Sequence, residues 1–240
     1  MEKKLGGLPL TLLTALLAAL GCGLRAAERS GSGLGALIVC STAVTALCLA
    51  LSLGFSRERD HACIFKKGSR VELSLSLLGA ALLLAGCFAA AVSESGAGRY
   101  IAILGAAAVL ALVRAAALRW KGVKPSAGWF VPMLAYFFAE LFYDYRRWML
   151  DPQIADYCFA LFALLCFLSA LYCTAGFSYD RGSRRALLFF SMTGVYFGAV
   201  AAVGAALSHM LVYAGGAVYL LGVVWQAGVA REPEAPADEA

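Results

Sequence analysis

The chain has 240 residues, 62% of them hydrophobic, with a mean hydropathy of +0.78. That composition excludes an ordinary soluble domain. The net charge of +5 does not point to nucleic acid, because the Lys and Arg residues lie in short connections between apolar runs.

Eight apolar runs follow one another, at about 8–24, 33–55, 72–93, 100–118, 129–148, 156–177, 186–207 and 210–228. Each suits a membrane helix, and the short connections make neighbours antiparallel. The expected fold is therefore all-α: a polytopic integral membrane protein with eight transmembrane helices. The first run is taken as a retained helix, although Met1-Glu2-Lys3-Lys4 before a short apolar run also resembles a signal peptide.

The two halves differ in composition. Residues 1–120 hold 5 of the 28 aromatics. The first half is built of Ala, Leu and Gly, which suit close helix packing, while aromatics suit pockets and interfaces. A site is expected mainly in the second half. Seven of the eight cysteines fall within apolar runs, and Cys63 lies in a basic loop. None has a zinc-like spacing, and the buried thiols should act as small hydrophobes. No metal site and no cofactor are expected from linear spacing.

The fifth run carries the chemistry. Trp129 and Trp148 stand 19 residues apart, about 28 Å at helical rise, close to the hydrocarbon thickness of a bilayer. Glu140 then falls near the midplane. At about 100° per residue, Tyr136, Glu140, Tyr143, Asp144 and Arg147 share one stripe, while Phe138, Leu141, Phe142 and Tyr145 take the other side. An ionisable group within a bilayer costs several kcal/mol unless paired, hydrated or neutralised. These five stripe residues are the candidate substrate- or ion-binding group, and a structural hydrogen bond from Glu140 is the competing reading.

Beyond this run, Asp151-Pro152 marks a turn and Asp156 suits a helix cap. With Asp144, Arg146 and Arg147 they would form a charged interfacial loop at the outer surface, the competing reading being an ion-pair lid over a pocket reaching Glu140. Gly194 and Gly198 form a close-packing face on the seventh run. The tail, 232–240, is acidic and expected to be disordered.

Orientation follows from Lys and Arg. Fourteen of them fall on the side that carries the N-terminus and five on the other, with Arg114 inside a run and expected to snorkel. The positive-inside rule then puts both termini in the cytoplasm. A repeat is also visible. Gly54-Phe55-Ser56 and Gly176-Phe177-Ser178 end the second and sixth runs. Lys67-Gly68-Ser69-Arg70 and Arg181-Gly182-Ser183-Arg184 close the loops that follow. This suggests a parallel 4+4 duplication, with one four-helix membrane unit at 1–122 and a second, aromatic-rich one at 123–231.

The stretch from Asp144 to Arg185 resembles a segment of small polytopic membrane proteins of Gram-positive anaerobic bacteria. The likeness rests on Asp151-Pro152, Tyr157, Leu171-Tyr172, Gly176-Phe177 and Arg181-Gly182. It implies eight helices in a bacterial plasma membrane and transfers no activity and no functional residues.

Enzyme chemistry is not expected. The two histidines, His61 and His209, lie at loop or run ends, so no HExxH motif exists, and there is no P-loop and no GxS nucleophile with a histidine partner inside the bilayer. The best sequence-level expectation is a small-solute or ion transporter, or the membrane subunit of one. The alternative is a non-transporting scaffold or sensor that docks a partner, with a lipid-modifying enzyme least favoured. The expected partners are the lipid bilayer and a protein partner or second copy of the chain, not nucleic acid.

Overall fold

The computed structural model describes residues 7–31, 34–55, 69–149 and 154–228. Among these are eight α-helices: α1 Gly7–Arg29, α2 Leu34–Leu53, α3 Arg70–Ser93, α4 Ala97–Trp120, α5 Val131–Trp148, α6 Ile154–Gly176, α7 Arg184–Ala202 and α8 Leu207–Gly228. The class is all-α as expected, and each apolar run becomes one helix. Cys63, His61, Asp151-Pro152, the Asp156 side chain and the tail lie outside the described residues and side chains.

Two ends differ from expectation for local reasons. The first helix continues past its apolar run to Arg29, and Arg25 pairs with Glu28 one turn on, Nη1 to Oε2 at 2.6 Å. The seventh helix stops at Ala202, not 207. Val203 is extended (φ −69, ψ 108), and Gly204 has φ +77, a conformation that favours glycine.

Seven helices are long and apolar enough to cross a membrane, which makes this a multi-pass membrane protein by helix composition. The exception is α5, with 18 residues of which Glu140, Asp144, Arg146 and Arg147 are charged. The outward faces agree with a lipid surrounding. Leu8, Leu12, Leu16 and Leu20 form an exposed stripe on α1, and Phe88, Val92, Phe138 and Phe142 are exposed likewise. An apolar surface of this extent belongs in hydrocarbon, where helices satisfy their own backbone groups.

The core centres on α8. It lies antiparallel against α3, and glycines seven residues apart on each helix make the contact: Gly79 and Gly86 on α3, Gly215 and Gly222 on α8. A Cβ at Gly79 would sit 2.6 Å from the Tyr219 amide nitrogen, and one at Gly215 2.6 Å from that of Leu83. Backbone meets backbone there, as small residues allow between membrane helices. On the other side of α8, the Phe167 ring of α6 fills the space left by Gly194, Gly198 and Gly216. Gly194 and Gly198 therefore serve packing, as their spacing suggests.

The connections between helices set two ends of the bundle. α1, α3, α5 and α7 start at a basic end, where α2, α4, α6 and α8 finish. There Arg185 Nε donates to the Phe55 carbonyl at 2.6 Å, Arg184 Nε to the Ala227 carbonyl at 2.9 Å, and Trp225 Nε1 to Ser69 Oγ at 3.3 Å. Arg114 is exposed, as snorkelling requires. Arg119 corrects the sequence reading, which had placed it in a loop. It lies in the last turn of α4 and is 2% exposed. Its Nη1 is 3.3 Å from Glu72 Oε1 in the first turn of α3, and its Nη2 donates to Tyr219 Oη at 3.1 Å. A buried cation is tolerable only with such partners.

Candidate functional site

The opposite end of the bundle gathers the remaining buried acids. It is formed where α3 and α5 finish and α4 and α8 start. Three local features bring the side chains together.

The α3–α4 turn is short. Glu94 caps α3, and Gly96 turns the chain at φ +63, ψ −131, a conformation suited to glycine alone. Gly98 follows in the first turn of α4. A Cβ there would collide with Glu94 Oε2 and lie 3.2 Å from Tyr143 Oη. The absent side chain gives the Glu94 carboxylate room to fold inward. Next, Gly86 draws the first turn of α8 against α3, since a Cβ there would be 2.9 Å from the Ser208 carbonyl oxygen. That contact carries His209 inward. Finally, α5 presents its polar stripe to these helices. Tyr136 and Asp144 are buried and Glu140 nearly so, while Phe138, Phe142 and Tyr145 face outward.

The result is one cluster. His209 sits between two carboxylates, its Nδ1 3.5 Å from Glu140 Oε1 and its Nε2 3.5 Å from Glu94 Oε1. Asp144 lies one turn beyond Glu140 on the same face of α5. One ligand atom each from Glu140, Asp144 and His209 falls within 4.8 Å of the others. The His209 ring stacks on Tyr213 one turn along α8, with centroids 6.3 Å apart. Asp144 is 1% exposed, and neither of its oxygens has a hydrogen bond of good geometry, with the Tyr213 hydroxyl and Arg147 among its polar neighbours. An ionised carboxylate in that position is several kcal/mol unfavourable unless a proton or a cation joins it.

The five sequence candidates divide as follows. Glu140 and Asp144 belong to the cluster. Tyr136 lies one turn below Glu140, its ring meeting Cys87 over Gly105, where a Cβ would be 2.6 Å from both. It forms part of the floor. Tyr143 is half-buried at the side, near Gly98, and Arg147 is exposed at the helix end. Two members escaped the sequence reading, His209 and Glu94. His209 had been set aside as a span-end residue, yet it is the link between the carboxylates. The expectation of no metal site rested on linear spacing, and the fold brings three ligand-bearing side chains together across 69 positions, from Glu140 to His209. Glu140 stands midway along α5, where it meets the first turn of α8 and, through His209, the cap of α3.

The seven cysteines in the helices are free thiols, and among them Cys87 alone is named in the floor of the cluster. No protein-family model, no curated protein and no solved structure matches the chain. No family is thereby identified, and the resemblance to membrane proteins of anaerobic bacteria is left without a match behind it.

Proposed function

We propose that the chain is a small-solute or ion transporter, or the membrane subunit of one, and that Glu94, Glu140, Asp144 and His209 form its proton- or cation-binding centre. The observation that carries this reading is Asp144: buried, with neither oxygen in a hydrogen bond of good geometry, one turn from Glu140 and near His209. Ionisable groups held within a membrane bundle at a cost are the usual marks of ion pathways.

This reading counts α5 as an eighth span. Its support is geometric. The helix starts beside the end of α4 and reaches the end where α8 begins, and 18 residues cover about 27 Å at helical rise. Its exposed Phe138 and Phe142 would face lipid and its acids the bundle. With eight spans and the bias in Lys and Arg, both termini lie on the cytoplasmic side and the cluster lies towards the outer side. The two related halves, 1–122 and 123–231, belong to the same reading and rest on the loop similarity at 54–56 and 176–178. No reaction is assigned to the cluster, so the proposal is a carrier rather than an enzyme.

The test is flux. The purified full chain is reconstituted in liposomes under an imposed cation or pH gradient, and ion movement is read with an entrapped dye. Wild type should conduct well above empty liposomes, and Glu140→Gln should lose at least ~10-fold while remaining folded, as removal of a binding group predicts. A folded wild-type protein with no flux, or equal flux in the variant, would favour the scaffold reading instead.

A further inference from the structure

We infer that the cluster binds a divalent first-row transition cation, of the Zn²⁺ or Mn²⁺ kind, through Glu140, Asp144 and one ring nitrogen of His209, with Glu94 holding the other ring nitrogen. This deepens the proposed function and rests on its reading of the cluster as a cation site.

Four observations carry it. The spacing fits. A metal at about 2.0–2.2 Å from each ligand sets neighbouring ligand atoms about 3.4 Å apart in a tetrahedral site, and His209 Nδ1 already stands 3.5 Å from Glu140 Oε1. The third ligand atom, on Asp144, completes a set within 4.8 Å, so closure needs a shift of about 1.5 Å or less. The outer partner is present as well. Histidines that ligate metals usually give their second ring N–H to a carboxylate, which fixes the ring. Glu94 occupies that place at 3.5 Å from Nε2. Charge points the same way. The described cluster holds three carboxylates and one imidazole, and Asp144, buried with neither oxygen in a hydrogen bond of good geometry, is aimed into it. A divalent cation adds positive charge at the Asp144 oxygens, beside that of His209 and Arg147.

The donor set narrows the class. Imidazole with carboxylates suits Zn²⁺, Fe²⁺, Co²⁺ and Mn²⁺. Ca²⁺ prefers six to eight oxygens, and Mg²⁺ a near-octahedral shell of them. Cu⁺ prefers sulfur, and Cys87, the cysteine near the cluster among the described residues, lies in the floor beside Tyr136. Three protein ligands leave a fourth position open to water, as a site that must load and release its ion requires.

The test is equilibrium binding, independent of flux. The full-length protein in mild detergent is stripped with chelator and titrated with Zn²⁺ by calorimetry, with Co²⁺ as an optical probe. One saturable site per chain is expected, with Zn²⁺ displacing Co²⁺ and no cobalt–thiolate charge-transfer band. Asp144→Asn and His209→Gln should each weaken binding at least ~10-fold, Glu94→Gln by about 10-fold, and Asp180→Asn, in the loop after α6, not at all. If the variants fail to fold, the wild-type cobalt spectrum decides alone, since a thiolate band places the metal on cysteine and overturns the inference. Absence of saturable binding, or binding untouched by folded Asp144→Asn, overturns it too. Metal binding without flux leaves this inference standing and rejects the transport reading. Proton flux without metal binding does the reverse.

Discussion

The two ends of the bundle bury charge in opposite ways. At the basic end Glu72 meets Arg119, whose Nη2 also donates to Tyr219 Oη. One anion answers one cation, and the pair ties the start of α3 to the end of α4 and the middle of α8. At the other end three carboxylates surround one imidazole, and Asp144 has neither oxygen in a hydrogen bond of good geometry. The first arrangement sets opposite charges side by side. The second is short of positive charge. Packing alone does not explain that difference, because both ends lie on the same α3–α4–α8 framework. Stability arguments account for the balanced pair, whereas the unbalanced cluster is the kind of local violation that marks function.

That contrast can be broken experimentally. The largest effect is expected at Arg119. Arg119→Ala leaves Glu72 buried beside no cation and should destabilise the protein by about 3–5 kcal/mol, read as a fall in thermal unfolding temperature in detergent. Arg119→Met with Glu72→Gln should recover most of it. If the single variant melts like wild type, the pair is not the structural tie described here. Next comes Gly215→Val, which forces a side chain into the Leu83 backbone. A loss of about 1–3 kcal/mol or more is expected from overpacking, and a neutral result would contradict the close α3–α8 contact. At the cluster end the sign should change. Asp144→Asn removes a buried charge that lacks a hydrogen bond of good geometry, so stability should stay level or rise by up to about 2 kcal/mol. The smallest effect belongs to Lys124 and Asp180, an exposed pair at 2.7 Å with side chains 39% and 55% accessible. Lys124→Ala should change stability by no more than about 0.5 kcal/mol, measured by the same melting assay.

Much of the fold was legible because apolar runs of membrane length are hard to mistake. The polar stripe of α5 was legible too, since helical periodicity alone separates Tyr136, Glu140 and Asp144 from Phe138 and Phe142. Arg119 was misplaced because the apolar run stops at Leu118, while the helix continues to Trp120 with its last basic side chain turned inward. The cluster was only half legible. Glu94 and His209 come from a helix cap and a helix start, positions that look like ordinary loop edges in one dimension. A signal for them did exist. Gly79 and Gly86, and Gly215 and Gly222, repeat at the same spacing on two helices. Pairing those glycines antiparallel sets Ser208 opposite Gly86 and brings His209 to the end of α3. Long-range packing, not local pattern, assembles the cluster, which is why linear motif spacing did not point to it.

The most direct test of the account measures melting temperature and ion flux on the same preparation of Asp144→Asn. The account predicts a protein that melts no lower than wild type and has lost at least ~10-fold of its flux per folded molecule, as expected for a binding carboxylate held at a cost. A variant that melts several degrees lower yet keeps wild-type flux per folded molecule would contradict it, and would make the cluster a structural tie like the one at the opposite end.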